Sequence, residues 1–196
     1  SLATALTARY MNIFLCHLQG GEITGSIDES VRHAVTKLSN LHFVSTPAAK
    51  KRVIQMGENP KFVHNVGCPS IDLIKKIDLK KKCNLSKYNF GVGHKVDITQ
   101  PYYVVLFHPV TTDYNSNEKN TEKLYLAIKK LNLQTVWIWP NSDAGSNFIT
   151  KKIRSFREIE ILKSKINFYT NFRVEDYIKL IKNSKCLIGN SSSGIR

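Results

Sequence analysis

The residues best suited to chemistry lie near the start of the chain, where ionisable side chains surround a Gly-Gly pair in the stretch HLQGGEITGSIDESVRHAVTKL. Glycine lets the backbone turn steeply and lets a ligand come close to it. Imidazole and carboxylate groups beside such a turn can take up and release protons, which is typical of general acid–base catalysis. The candidate catalytic residues of this stretch are His17, Glu22, Asp28 and Arg32.

Some of these residues also have a purely structural interpretation. Asp28, or Ser26 before it, could cap the helix that the apolar pattern predicts to follow. Arg32 could pair with a carboxylate to hold the loop rather than act on a substrate. The sequence leaves both alternatives open.

A second group of small polar residues, GNSSSGIR, follows an apolar run at positions 189–196. Backbone N–H groups and serine hydroxyls in a strand-to-helix turn can bind phosphate, and Arg196 could add positive charge. We therefore identify Asn190, Ser191 and Ser192 as candidate phosphate ligands. A plain structural turn is the alternative.

His108 and Asn141 each come directly after a predicted strand. His108 could donate to a phosphate or titrate near neutral pH, and Asn141 could contact a nucleotide or merely shape a turn. Ligands of open parallel sheets bind beyond the carboxyl ends of the strands. We expect these two side chains to face one crevice with His17 and the turn at 190–193.

The composition is that of an ordinary globular protein with a strong positive charge. The 29 Lys and Arg residues exceed the 15 Asp and Glu residues, which gives a formal net charge of +14. We expect a lysine-rich surface rather than a nucleic-acid site, because no basic helix-turn-helix, Arg-rich arm or RNA-binding aromatic pattern is present. The positive field would attract a small anionic substrate.

Other classes of protein are excluded by what the sequence lacks. No apolar run approaches the roughly 20 residues that cross a bilayer, and the first residues make a poor signal peptide, so we expect no membrane and a cytoplasmic location. The four cysteines are widely spaced, without a metal-ligand pattern, so we expect reduced thiols and no metal. Cys16 and Cys186 are expected to be buried.

Short apolar strands alternate with helical patterns, which predicts βαβ units and parallel sheets. The predicted strands cover residues 12–16, 41–45, 62–66, 102–107, 135–139, 166–169 and 186–188. The predicted helices cover residues 1–10, 28–39, 47–56, 69–77, 118–131, 148–156 and 174–181.

The expected fold class is therefore α/β, with two Rossmann-like, doubly wound domains. The stretch from 75 to 100 is charged and lacks periodicity, so we predict domains over residues 1–78 and 101–196 with a linker over 79–100. Each domain has too few strands to be complete, and both chain ends look cut. We expect the isolated segment to be inactive.

The chain resembles the hydrolysing UDP-N-acetylglucosamine 2-epimerases, which open sialic acid biosynthesis. The likeness extends over nearly the whole chain except the predicted linker. It is carried by HLQGGEITGSIDESVRHAVTKLSNLHFVST (17–46), VGCPSID (66–72), FHPVTTD (107–113), WPNSDAGS (139–146), NF (171–172) and IGNSSSGIR (188–196).

The resemblance implies a glycosyltransferase-B architecture with a UDP-sugar substrate between two domains, no cofactor, and homodimers or tetramers. The implied reaction converts UDP-N-acetylglucosamine and water into N-acetylmannosamine and UDP through a glycal. The implied sugar-side residues are His17, Glu22, Asp28 and Arg32. The implied UDP-side residues are His108, Asn141, Asn190, Ser191 and Ser192.

One position departs from part of this family. Some members have Glu where this chain has Gln19, and an amide cannot transfer protons. If that position is catalytic in those members, its role here must pass to a neighbouring residue or reduce to hydrogen bonding of the substrate. The alternatives are a related 2-epimerase, hydrolysing or not, that acts on another sugar nucleotide such as a diacetamido trideoxy sugar, and a non-catalytic nucleotide-binding module.

Overall fold

The computed structural model describes residues 1–25, 27–88, 91–160 and 165–195. It divides the chain into two compact units, Ser1–Lys75 and Lys76–Arg196, which we call the first and second units. Each unit is built on its own β-sheet.

The first unit contains a three-stranded parallel sheet in the order β1-β2-β3. Its strands are β1 (Cys16–Leu18), β2 (Leu41–Val44) and β3 (Val63–Asn65). Its helices are α1 (Leu2–Tyr10), α2 (Ile27–Leu38), α3 (Pro47–Gln55) and α4 (Pro69–Lys76), the last of which ends at the boundary. The small core consists of Val44, Ala49, Val53 and Val63.

The strand predicted over residues 12–16 is wrong in position, because β1 begins only at Cys16. The first of the intervening residues form the turn that closes α1. Asn12 has a left-handed backbone (φ 54°), and the Ile13 N–H donates to the Ala8 carbonyl, which closes the helix C-terminus. Asp28 lies inside the first turn of α2 rather than at its cap, and Ser26 lies outside the described residues.

The second unit contains a five-stranded sheet in the order β4-β7-β6-β5-β8, in which only β4 is antiparallel to its neighbour. Its strands are β4 (Val92–Gly93), β5 (Tyr103–Leu106), β6 (Thr135–Ile138), β7 (Ile166–Tyr169) and β8 (Cys186–Gly189). Its helices are α5 (Asn117–Leu131), α6 (Ser146–Glu160) and α7 (Val174–Asn183). Single 3-10 turns cover Pro60–Phe62, Leu85–Lys87, Tyr114–Ser116 and Ser192–Gly194.

The connection to β8 reverses the direction in which this sheet grows. β6 and β7 are added on one side of β5, and the chain then returns to pair β8 with the other side. The loops that follow β5 and β8 therefore lie side by side at the carboxyl edge of the sheet. Such a switch point leaves a crevice suited to a ligand.

Both faces of the second sheet are covered. Alternate residues of β5 point to opposite faces, so that Val104 packs with α7 on one face and Val105 packs with α5 and α6 on the other. The stretch predicted to be a linker contributes buried Cys83 and Val96 to the first of these cores. The second unit thus begins at Lys76 instead of residue 101.

The four cysteines, which all lie in the described ranges, form no disulfide with one another. Cys83 is buried, but Cys16 and Cys186, which were expected inside the core, are exposed on strands at the edges of the two sheets. In the part of the chain that the structure describes, no helix is both long and apolar enough to cross a bilayer.

Candidate active site

A cavity of about 550 Å³ lies at the carboxyl edge of the second unit's sheet. Its walls combine apolar side chains with a rim of imidazole, amide and hydroxyl groups, a composition typical of small-molecule sites. The lining residues are Leu106, His108, Ile138, Trp139, Pro140, Asn141, Thr170, Asn171, Phe172, Val174, Tyr177, Ser191 and Ser193.

Asn190 joins the loops that follow β5 and β8. Its side-chain oxygen accepts a hydrogen bond from the His108 N–H (2.8 Å), and its amide nitrogen donates to the His108 carbonyl (2.9 Å). The amide therefore fixes the backbone of His108 at the cavity rim. Asn190, predicted to contact a phosphate, does not line the cavity itself.

The imidazole of His108 is held in one tautomer. The Asn141 N–H donates to its Nδ1 (3.2 Å), so the proton of the neutral ring lies on Nε2. Burial lowers the pKa of His108, although the nearby Asp143 carboxylate opposes this effect. At neutral pH the side chain is thus an uncharged donor in the cavity wall.

The turn at residues 191–193, which we call the serine turn, is held by hydrogen bonds that involve Ser193. The Ser191 hydroxyl accepts from the Ser193 N–H and lies 2.8 Å from the Ser193 hydroxyl, which in turn lies 2.7 Å from the Tyr177 hydroxyl. Burial raises the pKa of Tyr177, so its phenol stays protonated at neutral pH. Ser192 is exposed and is not part of the cavity wall.

The serine turn has only some of the phosphate-binding features that the sequence predicts. Ser192–Gly194 is a single 3-10 turn, so the dipole of a following α-helix cannot be invoked for the described residues, and Arg196 lies outside them. Ser193 was predicted to belong to the turn and to offer a hydroxyl, but neither it nor Tyr177 was among the candidate site residues. Tyr177 could not have been found by periodicity alone, since it lies inside an ordinary amphipathic helix.

In the first unit, the loop after β1 is packed tightly against α3. Gly21 has a positive φ of 76°, and a Cβ there would lie 2.4 Å from the Ala49 carbonyl oxygen. The Gly21 carbonyl accepts a hydrogen bond from Arg52 (2.7 Å). Packing against α3 therefore requires glycine at the second position of the pair, independently of any role in ligand binding.

Two side chains of α2 hold the rest of this loop. The Arg32 guanidinium donates to the Glu22 carbonyl (2.9 Å) and to the Thr24 hydroxyl (3.3 Å). The Glu29 carboxylate accepts from the N–H groups of Thr24 and Gly25 (2.7 and 2.8 Å), and these bonds lower its pKa. Arg32 thus stabilises the loop through oxygen atoms of the loop itself, and Glu29 of α2, which was not among the predicted site residues, stabilises it through N–H groups.

His17 is linked to α2 through a hydrogen bond with Thr36. The Thr36 hydroxyl donates to the Arg32 carbonyl (3.0 Å) and lies 3.1 Å from the His17 Nδ1, so Nδ1 carries the proton and donates to Thr36. Burial, followed by the positive charges of His42 and Arg32, lowers the pKa of His17 to about 4. Its Nε2 is consequently an unprotonated acceptor at neutral pH.

The remaining predicted residues of the first unit differ in exposure. Glu22 is half-buried in the loop, whereas Asp28 is exposed in the first turn of α2. Gln19 has a left-handed backbone (φ 60°), and its amide donates to the Cys68 sulfur at 3.3 Å. A non-glycine residue in this conformation costs free energy that the surrounding structure must supply, as is common at functional sites.

The structure therefore brings the predicted residues together in two places. In the first unit they lie on β1, where His17 is a strand residue, in the loop after β1 and in the first turns of α2; in the second unit they lie at one sheet edge. That both sets face one crevice stays a prediction. Within the described ranges, no group of three or more His, Cys, Asp and Glu side chains could hold a metal ion.

The lowered pKa of His17 predicts a loss of stability in acid. Above pH 6.5 the ring is neutral in both states, but between pH 6.5 and about 4 the unfolded chain binds a proton that the folded chain does not. The free energy of unfolding, measured by urea denaturation, should therefore fall across this range. His17→Gln should flatten the profile, whereas the same change at exposed His64 should leave it unaltered; equal profiles for both variants would contradict the assignment.

Comparison with known proteins is consistent with these observations. A family model described as UDP-N-acetylglucosamine 2-epimerase matches residues 1–196. The chain is 38% identical over 196 residues to polysialic acid biosynthesis protein P7 of Escherichia coli, with 98% of this chain and 48% of the relative covered. It is 34% identical over 198 residues to the hydrolysing UDP-N,N'-diacetylbacillosamine 2-epimerase of Legionella pneumophila, with 99% of this chain and 49% of the relative covered.

Solved structures show the same fold. The UDP-GlcNAc 2-epimerase of Methanocaldococcus jannaschii, determined in complex with UDP-GlcNAc and UDP, matches with a TM-score of 0.72 at 18% identity, over 97% of this chain and 52% of that one. This likeness confirms the α/β fold of glycosyltransferase-B type. The chain spans about half the length of the relatives that it matches, and it belongs to the UDP-N-acetylglucosamine 2-epimerase family.

Proposed function

We propose that the protein is a hydrolysing UDP-N-acetylglucosamine 2-epimerase, which converts UDP-N-acetylglucosamine and water into N-acetylmannosamine and UDP. The observation that carries this proposal is the cavity at the switch point of the second sheet, because its size and lining suit a nucleotide. Family membership supports the class of substrate.

The chemistry of the cavity wall divides into two parts that match the two parts of UDP. His108 Nε2–H and the hydroxyls of Ser191 and Ser193 are uncharged donors that can bind the diphosphate. The apolar part includes the rings of Trp139 and Phe172, which offer flat surfaces to a pyrimidine base. Donors on the diphosphate also stabilise it as a leaving group, since charge develops there when the bond to the sugar breaks.

The proposed reaction proceeds by elimination and rehydration. A base removes the proton from C2, the bond between C1 and the diphosphate oxygen breaks, and UDP leaves with the electron pair, so that a C1–C2 double bond remains. Water then adds its hydroxyl to C1 while an acid returns a proton to the opposite face of C2. The sugar is released as the 2-epimer. The proton taken from C2 and the proton returned to C2 cancel, and the proton that water loses when its hydroxyl bonds to C1 passes through a basic group to solvent.

Two acid–base groups are needed for this course, and the first unit's loop supplies candidates. We assign the proton transfers at C2 to the carboxyl groups of Glu22 and Asp28. His17 Nε2 contributes a hydrogen-bond acceptor rather than a charge, because its pKa lies near 4. Arg32 maintains the loop that presents Glu22, and Gln19 positions the sugar.

A second candidate substrate has specific support. The Legionella pneumophila relative is named for hydrolysing a diacetamido sugar nucleotide, and it is 34% identical to this chain. That reaction would use the same bond changes at C1 and C2, so the two proposals differ only in the sugar that is accepted.

Incubation of the full-length protein with each sugar nucleotide in D₂O should separate these possibilities. We expect free UDP and N-acetylmannosamine bearing one deuterium at C2 from UDP-N-acetylglucosamine, detected by NMR, with slower release from the diacetamido analogue. The opposite preference would favour the second candidate.

Two outcomes would contradict hydrolytic epimerisation altogether. A product that retains UDP would indicate reversible epimerisation without hydrolysis. Failure to bind UDP, together with oligonucleotide binding that weakens steeply as salt is raised, would indicate a nucleic-acid-binding protein instead.

A further inference from the structure

Tyr88 connects the stretch before β4 to the beginning of α7. Its hydroxyl accepts a hydrogen bond from the Arg173 N–H (3.1 Å) and donates to the Asp176 carboxylate (2.6 Å). Desolvation and the Asp176 bond raise the pKa of Tyr88, so the hydroxyl remains a donor at neutral pH. One oxygen atom therefore links Tyr88 to Arg173 and Asp176, which follow it in the sequence by 85 and 88 positions.

These two bonds complete the N-terminus of α7. Arg173 is the N-cap residue of this helix, and arginine has no acceptor atom with which to cap it. In a capping box, the side chain three residues into the helix accepts directly from the N-cap N–H. Here Asp176 occupies that position, and the Tyr88 hydroxyl is inserted between the N–H and the carboxylate.

The ring of Tyr88 supports the loop that lines the cavity. Its centroid lies 4.7 Å from that of Phe172, which in turn lies 5.0 Å from that of Tyr169. Phe172 is buried and forms part of the cavity wall. A second cavity of about 590 Å³ lies on the Tyr88 side of the same loop, so Tyr88 supports a thin wall between two open spaces.

The helix that Tyr88 caps also carries Tyr177, whose hydroxyl contacts Ser193 of the serine turn. The position of α7 therefore affects two walls of the 550 Å³ cavity, the loop at 170–174 and the turn at 191–193. A residue that fixes the start of α7 acts on both walls without touching a ligand in the cavity.

We propose that Tyr88 is a positioning residue for nucleotide binding, which holds the 170–174 loop and α7 in the arrangement that the ligand requires. This inference rests on the proposed function, since UDP is the ligand by which it is tested. It also gives the stretch at 79–100, which the sequence predicts to be a linker, a role in the site.

The test compares UDP affinity of full-length Tyr88→Phe and wild-type protein by calorimetry. The variant keeps the ring against Phe172 and loses only the hydroxyl. We expect its Kd for UDP to rise about fivefold to tenfold, the factor that corresponds to losing one ordinary hydrogen bond. Tyr103→Phe, at the opposite end of β5, is the matched control and should change Kd less than twofold, taking about twofold as the limit for a site outside the network.

A double-mutant cycle tests whether the hydroxyl and the carboxylate act as one unit. Asp176→Ala should weaken UDP binding to a similar degree, and adding Tyr88→Phe to it should cause little further loss. Asp176→Asn retains an acceptor oxygen, so this variant should keep most of the wild-type affinity for UDP. Fully additive effects would overturn the bridged cap.

Stability and binding must be separated, because loss of a cap also destabilises a helix. Amide hydrogen exchange of free Tyr88→Phe should be faster at residues 171–177 than in the wild type. If the variant unfolds more easily but binds UDP with unchanged Kd well below its Tm, Tyr88 has only a structural role and the inference fails. If the wild type itself does not bind UDP, the proposed function fails, and the exchange result still reports on the cap.

Discussion

Full-length protein with Glu22→Gln is expected to lose about 10²–10⁴-fold in kcat for UDP release, which is the usual contribution of a general acid–base group. Glutamine has nearly the same shape as glutamate but cannot accept a proton. The loop itself should persist, because Arg32 holds it through the Glu22 backbone carbonyl, which the substitution retains.

Affinity distinguishes a catalytic effect from a structural one in this variant. The Kd for UDP should stay within about twofold of wild type, because the donors assigned to the diphosphate are other side chains, all in the second unit, and a group that acts only in the chemical step lowers kcat without weakening binding. Asp72→Asn, which neutralises an exposed carboxylate on α4, is the matched control and should leave kcat unchanged. A kcat for Glu22→Gln within threefold of wild type, taking about threefold as the limit, would remove Glu22 from the acid–base step.

Gly189→Ala is expected to lower the free energy of unfolding by about 3 kcal/mol or more, the range of backbone strain combined with an unavoidable clash. Gly189 has a φ of 146°, and a Cβ built there would lie 1.9 Å from the Leu106 carbonyl oxygen of the paired strand. Because the Cβ would clash with a backbone atom, no flexible side chain could move away to relieve the contact. Urea denaturation followed by circular dichroism measures the change.

Gly194→Ala provides the control within the same turn. Its Cβ would meet only the end of the Leu187 side chain, at 3.0 Å, and its φ lies outside the left-handed region. We expect an effect under about 1 kcal/mol for this variant, as for most substitutions that leave the core intact. Similar losses for both glycine variants would show that close strand packing is not the reason for Gly189.

Much of the fold could be predicted from the sequence because the helices and strands have clear periods. The strand at 166–169 was predicted with its observed limits. The helix predicted over residues 118–131 is observed to begin one residue earlier, at Asn117, and to end where predicted. The first strand was misplaced because an apolar run after a helix looks the same whether or not it pairs. There, the left-handed Asn12 and the bond from Ile13 to Ala8 decide the outcome, and neither is visible in hydropathy.

The candidate site was predicted at the level of loops and less well at the level of side chains. The rule that ligands bind beyond strand ends located His108 and Asn141 at a cavity. The same rule could not predict that Ser193, and not Ser192, lines the cavity, because this depends on how a single 3-10 turn is oriented. Tyr88 was out of reach as well, because its partners lie 85 and 88 residues further along the chain.

The placement of β8 beside β5 has a consequence for how the protein acquires its binding capacity. The two strands are neighbours in space but are separated by roughly eighty residues of intervening chain, and closing so long a loop is entropically costly and slow. A growing or refolding chain can assemble β5, β6 and β7 from shorter-range contacts, yet it lacks the serine turn until β8 joins them. The proposed nucleotide cavity would then be completed only when β8 pairs with β5, and a chain that lacks this pairing would not bind the ligand.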